Sequence, residues 1–175
     1  VQSTLLANRT QLVLNGTDAV ITASNLADNT NWSSSVFAVG TNADMNADGV
    51  PYIAYCFADV QGYSKFGSYK GNGNANGTFI YTGFKPAWVL IKQSDGANGW
   101  NIYDNKRNTF NVMDKFLLAN TNGAESSYSV IDFLSNGIKL RNTASSFNTS
   151  AKNYIYMAFA EAPFVTSKGV PATAR

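Results

Sequence analysis

Apolar residues in this chain fall in short runs separated by turn-forming residues, which is the spacing of strands rather than of helices. The two longest runs are near-copies of each other. Tyr52-Ile53-Ala54-Tyr55-Cys56-Phe57-Ala58-Asp59 is matched by Tyr154-Ile155-Tyr156-Met157-Ala158-Phe159-Ala160-Glu161, each uncharged until its closing acid. Such a run predicts a strand covered on both faces at the centre of a sheet. Leu12-Val13-Leu14 and Ala19-Val20-Ile21 flank Asn15-Gly16, a dipeptide that predicts a tight hairpin. Residues 35–40, 61–69, 78–81, 87–92, 100–104, 127–134 and 138–141 predict further strands, and 115–118 predicts a strand or one helical turn. Strands about every 8 to 12 residues, with Asn and Gly between them, predict an all-β chain folded as an antiparallel β-sandwich of the concanavalin or jelly-roll kind.

The duplication reaches beyond the strand. Asn46-Ala47-Asp48-Gly49 and Asn148-Thr149-Ser150-Ala151 precede the two copies at the same shift of 102 positions. Phe37-Ala38-Val39 faces Ile138-Lys139-Leu140, and Leu5-Leu6-Ala7-Asn8 recurs as Leu117-Leu118-Ala119-Asn120. The first copy holds extra residues, mainly in 10–34, which predicts surface loops there. The pattern suggests about one and a half repeats of a β-unit of roughly 100 residues. Residues 1–60 form the later half of a first unit, 61–163 a complete second unit, and 164–175 a tail that is exposed or docks on a neighbour. On this reading Val1 lies inside a longer polypeptide.

Composition narrows the function. Hydrophobic residues make up 45% of the 175 positions and aromatics 13%, enough for a folded core. Only 14% are charged and the net charge is +2, which argues against a nucleic-acid surface. No apolar run approaches the roughly 18 residues of a membrane-crossing helix. Cys56 is the single cysteine and is expected to be a small core residue. The chain has no histidine, which closes Ser-His-Asp and Cys-His catalysis and most zinc sites. Two carboxylates could still serve glycoside hydrolysis, and Asp95, Asp104, Asp114, Glu125, Asp132 and Glu161 are available, but no spacing pairs any two of them. A non-enzymatic role is expected.

Two candidate binding sites remain. Asp44-Met45-Asn46-Ala47-Asp48-Gly49 matches the first half of a calcium loop, where oxygen ligands alternate ahead of a Gly turn. Tyr55 stands where the closing Glu belongs, and the second copy has no acids there, so a plain tight turn competes with calcium binding at Asp44, Asn46 and Asp48. Trp32, Trp100 and Tyr103 with Asp104, and also Tyr63 and Tyr69, could stack on and hydrogen-bond a glycan. Core packing is the competing role for each aromatic. Lys106-Arg107 beside Asp104 reads as a solvated turn.

Several motifs carry a family resemblance. Gly62-Tyr63-Ser64-Lys65-Phe66-Gly67-Ser68-Tyr69, Tyr81-Thr82-Gly83-Phe84-Lys85-Pro86-Ala87-Trp88-Val89-Leu90-Ile91-Lys92 and Ile102-Tyr103-Asp104-Asn105-Lys106-Arg107 occur in that order. Asp132-Phe133-Leu134-Ser135-Asn136-Gly137-Ile138-Lys139-Leu140-Arg141, the run from Tyr154 to Glu161, and Pro171-Ala172-Thr173-Ala174-Arg175 follow. Together they resemble a domain of tail-fibre-like and other structural proteins of marine tailed bacteriophages, in which similar units succeed one another, often after a concanavalin-like or laminin-G-like domain. The resemblance implies a virion protein, exposed on the particle, that contacts other virion subunits. It implies a tail-fibre or host-attachment role first, with a capsid-surface decoration or head-fibre role as the alternative. A homo-oligomer is expected, a trimer if the chain is part of a fibre, with a host surface glycan as a possible ligand. A free-standing carbohydrate-binding lectin domain is the reading from a different class. No catalytic residue is carried over, and neither nucleic acid nor membrane insertion is implied.

Overall fold

The computed structural model describes residues 1–162, and the predicted tail 164–175 lies outside the described residues. Its strands are β1 (Thr10–Gln11), β2 (Ile21–Thr22), β3 (Ser64–Lys70), β4 (Phe79–Tyr81), β5 (Trp88–Gln93), β6 (Asn101–Asp104), β7 (Met113–Leu118), β8 (Ser126–Leu134), β9 (Gly137–Leu140) and β10 (Asn153–Phe159). Strands β3 to β10 form one antiparallel sheet in the order β3-β10-β5-β6-β7-β8-β9-β4. Only two residue pairs, Asn101↔Leu118 and Ile102↔Leu117, join β6 to β7. Strand β7 also breaks register against β8 between Met113 and Lys115. Such irregularities let a sheet bend. The sheet folds over at this corner, and Val89, Ile91 and Tyr103 from one half share a core with Met113, Ile131, Phe133, Ile138 and Leu140 from the other. The result is the antiparallel β-sandwich that the strand spacing predicts.

Strand β10 is the central strand that its sequence predicts. It pairs with β3 on one side and with β5 on the other, Tyr156 facing both Gly67 and Ile91. Tyr154, Tyr156 and Ala158 point into the core. On the other face Ile155 packs with Leu12 and Trp100, while Phe159 meets Tyr63, Phe66 and Trp88 with ring centroids 5.8, 5.9 and 5.8 Å away. Burying each large apolar side chain of this kind is worth about 1.5–3 kcal/mol, so the strand is held from both faces.

The outer face of β5, β6 and β10 is covered by the chain's first 22 residues. Trp100 donates its indole N–H to the Val13 carbonyl at 3.0 Å, and the Val20 amide donates to Ser94 at 2.8 Å. Lys92 on β5 is fully buried beneath this arm. Its ammonium donates to the carbonyls of Thr17 (3.1 Å), Gln93 (2.6 Å) and Gly96 (3.2 Å). Three carbonyl acceptors are what a buried ammonium needs in place of water.

Burial pushes the Lys92 pKa down from the ordinary 10.5 to about 8, against the opposing pull of Asp18. Between those two values the unfolded chain holds the proton and the folded chain does not, so stability rises with pH across that window. Burial pushes Tyr69, Tyr103 and Tyr156 above the ordinary 10.0, so the folded chain keeps phenolic protons that the unfolded chain loses, and stability falls again above that pH. The thermal midpoint is therefore expected to climb from pH 8 towards 10 and then drop. Melting curves of Lys92→Met should lose most of the climb and keep the drop.

The first sixty residues depart from expectation. The tight hairpin expected at Asn15-Gly16 does not form: the ladder is only Thr10↔Thr22 and Gln11↔Ile21, joined through residues 12–20, and Leu12 and Val20 turn down to pack on the sheet. Residues 35–40 form no strand, and neither do residues 52–59. The predicted central strand of the first copy is instead an exposed stretch, with Ile53 82%, Tyr55 83% and Phe57 58% accessible. Cys56 is exposed with it rather than buried in a core. The sequence of a central strand is present there, but among the described residues no strands flank it.

Candidate functional site

The acidic loop is a capped turn. Asn42 accepts a hydrogen bond from the Asp44 amide at 2.8 Å and starts the single helical turn α1 (Ala43–Asn46). With 3.6 residues per turn, side chains two positions apart face away from each other, so Asp44 and Asn46 do not converge. The Asn46 amide group donates to the Gly40 carbonyl at 2.9 Å, and Asp44 and Asp48 point to solvent. Among the described residues no three acidic or cysteine side chains are grouped to hold a metal. Of the two readings of this loop, the geometry is that of the tight turn, with the Asn42 cap committing its backbone to a helical turn.

The second copy shows that this turn is an element of the duplication. The Asn148 side chain donates to Asn142 at 2.7 Å, six residues back, as Asn46 does to Gly40. The Tyr52 hydroxyl accepts from the Ala47 amide at 3.1 Å and donates to the Ala43 carbonyl at 2.6 Å. The Tyr154 hydroxyl accepts from Thr149 at 2.9 Å and donates to Ser145 at 2.8 Å, the same two contacts shifted by 102 positions. Gly49 and Ala151 both adopt left-handed backbone, with φ of 70° and 62°. Each turn launches the apolar run that follows it.

The aromatic candidates are structural. Tyr103 is in the core and Trp100 is 2% accessible, so neither offers a face to a sugar ring. Asp104 accepts from the amides of Lys106 (3.0 Å) and Arg107 (2.9 Å), and its other oxygen meets the Arg107 guanidinium at 2.7 Å. It builds a turn. Trp32 is half-buried in its own loop, donating to Ala38 at 3.2 Å with its ring edge-on to Phe37. Tyr69 stacks on Tyr154 at 5.0 Å, and Tyr63 sits against Phe159. Strand alternation put Tyr103 inside, Trp100 is covered by Leu12 and Trp32 lies in a loop, and their sequence positions alone could not distinguish a core ring from a platform.

Two concave places remain. A groove of about 490 Å³ runs between Leu5, Leu6 and Val20 on the arm and Lys70, Asp95 and Asn153 on the sheet. Burial pushes the Asp95 carboxyl up, but hydrogen bonds from Gln93 and Asn153 with the nearby Lys152 charge outweigh it, and the group stays ionised below its usual range. A second hollow of about 350 Å³ lies between the start of β3 and the end of β4, beside the Asp59–Lys65 ion pair.

Exposed apolar residues gather in one segment of the chain. Val36, Phe37, Val39, Val50, Tyr52, Ile53, Tyr55, Phe57 and Val60 are all exposed within 25 residues. No charge occurs between Val50 and Ala58. Clustered exposed apolar residues are a general property of contact surfaces. The sequence carried the signal in the uncharged run itself, but the run predicts burial within the chain, and only the fold shows that its flanking strands are elsewhere.

The comparison with curated proteins finds no match, and neither does the comparison with solved structures. The family model described as a domain of unknown function, DUF7483, matches residues 1–163. That span takes in both the arm with its exposed apolar run and the complete sandwich. The chain belongs to the DUF7483 family.

Proposed function

We propose that the chain is a non-enzymatic structural module of a bacteriophage virion, exposed on the particle in a tail-fibre or host-attachment position. One observation carries the assembly role: the apolar belt of residues 36–60 lies exposed on a sandwich whose own core is complete. Subunit contacts bury such surfaces. The virion setting rests on the motif resemblance, whose segments coincide with β3, the β4–β5 connection, β6, β8–β9 and β10. The module contacts other virion subunits and forms a homo-oligomer, threefold in a fibre. A host glycan is best sought in the groove beside Asp95 and Asn153, since the aromatic candidates on β6 are buried.

Antibodies raised against the folded chain and imaged on purified particles by electron microscopy test this reading. Label at the distal tail supports attachment. Label on the capsid lattice moves the chain to the decoration or head-fibre role, and unlabelled particles overturn the virion reading.

A further inference from the structure

We infer that Asn122 is a self-modifying site, where the chain converts its own side-chain amide into aspartate or isoaspartate. The inference goes beyond the assembly reading and does not depend on it. The Gly123 nitrogen gives its proton to hydroxide and attacks the Asn122 Cγ. A C–N bond forms, the Cγ–Nδ2 bond breaks, and ammonia leaves after taking a proton from water. The product is a five-membered succinimide. Water then opens the ring at one of its two carbonyls, giving aspartate, or isoaspartate with the main chain routed through the side chain.

Six Asn-Gly pairs occur in the sequence, beginning at Asn15, Asn72, Asn76, Asn98, Asn122 and Asn136. A following glycine has no Cβ to shield the attacking nitrogen, so the six are chemically alike. The fold separates them by two requirements: the side chain has to turn onto the next nitrogen, and that nitrogen has to be free. Asn72 meets neither. Its side chain donates to the Asn76 carbonyl at 3.1 Å and accepts from the Asn74 amide at 3.0 Å, and the Gly73 amide is held by the Asn148 carbonyl at 3.0 Å. After Asn76, the Gly77 amide donates to Leu140 at 3.1 Å. The Asn98 side chain is tied to Gln93 and Ser145. Asn136 accepts from the Thr82 and Gly83 amides at 3.0 and 3.2 Å, and Gly137 is buried between Leu134 of β8 and Tyr81 of β4. The Gly16 amide closes a turn onto Val13 at 3.3 Å.

Asn122 meets both requirements. It is exposed with Gly123, and its side chain has no hydrogen-bond partner among the described residues. The Gly123 amide has only the hydroxyl of Thr121, at 3.4 Å. A Cβ built on Gly123 would meet that hydroxyl and nothing else. The surrounding connection can also absorb the product. Asn120 accepts from the Trp100 amide at 2.9 Å, and Glu125 pairs with Arg107 and Lys115 at 3.3 and 3.7 Å. Between those anchors residues 121–124 belong to no strand, so the extra main-chain atom of isoaspartate is taken up there. Each conversion removes one from the net charge of +2.

The test is incubation of the full chain in heavy-oxygen water at mildly alkaline pH, folded and in denaturant, followed by peptide mass spectrometry. In the folded chain heavy oxygen should enter at Asn122 at least about tenfold faster than at Asn72, Asn76, Asn98 or Asn136, which react only through local opening. Asn15, held by a single turn bond, should come second. In denaturant the lead of Asn122 should vanish. Asn122→Asp, which carries the charge of the product, should melt with the parent, and Gly123→Ala should suppress labelling at Asn122 without moving the midpoint. Two results overturn the inference: label entering any of the other five sites of the folded chain as fast as Asn122, or a lead at Asn122 that persists in denaturant.

Discussion

Replacing Asn148 with alanine is expected to lower stability by about 3 kcal/mol, since three hydrogen bonds of roughly 1–1.5 kcal/mol each are lost. The side chain is fully buried. It receives the Asn72 amide and donates to the carbonyls of Asn74 and Asn142, tying the loop after β3 to the loop before β10. For a domain of this size the change corresponds to a drop of about 10 °C in the thermal midpoint. Asn46→Ala, the same change at the matching position of the first copy, removes one exposed bond and should cost under about 1 kcal/mol. Equal effects at both sites, read from paired melting curves, would contradict the contrast between the buried turn and the exposed one.

Trp100→Ala should cost about 3–5 kcal/mol, the range for emptying a buried tryptophan site. Its ring is the plate to which the first 22 residues adhere, through Leu12 and Ile155 and with Leu6, Val20 and Leu90 at the margin. The Val13 carbonyl loses its indole donor as well. Because the β3–β10 core lies on the other face of the sheet, the damage should be uneven. Limited proteolysis is expected to cut within residues 1–22 of the variant while the sandwich stays resistant. Loss of the whole domain at the same rate as the arm would show that the arm is integral to the core.

The sandwich was legible because its strands alternate in the ordinary way. The run 154–161 read as a central strand, and β10 is one; residues 87–92 read as a strand and form β5 beside it. Residues 115–118 were ambiguous by pattern, and pairing with β6 and β8 makes them strand. The run 52–59 misled because periodicity reports what a segment can pair with and says nothing of whether the partner is in the same chain. The acidic loop was open between calcium binding and a tight turn, and its geometry is that of the turn. Its spacing suits calcium, yet Asn42 caps a helical turn, and the acid-free turn before β10 makes the same contacts. Lys92 carried no sequence signal at all, as a lysine within an apolar strand becomes intelligible only once three carbonyls surround it.

Hydrogen exchange at the amides of residues 53–57 tests the central claim most directly, measured on the isolated chain and on the chain within purified particles. Free exchange in isolation and strong protection in the particle is the predicted result, because the run that lies exposed in the isolated chain is covered by subunit contacts on the proposed assembly. Equally fast exchange in both, or protection already complete in the isolated chain, would contradict it.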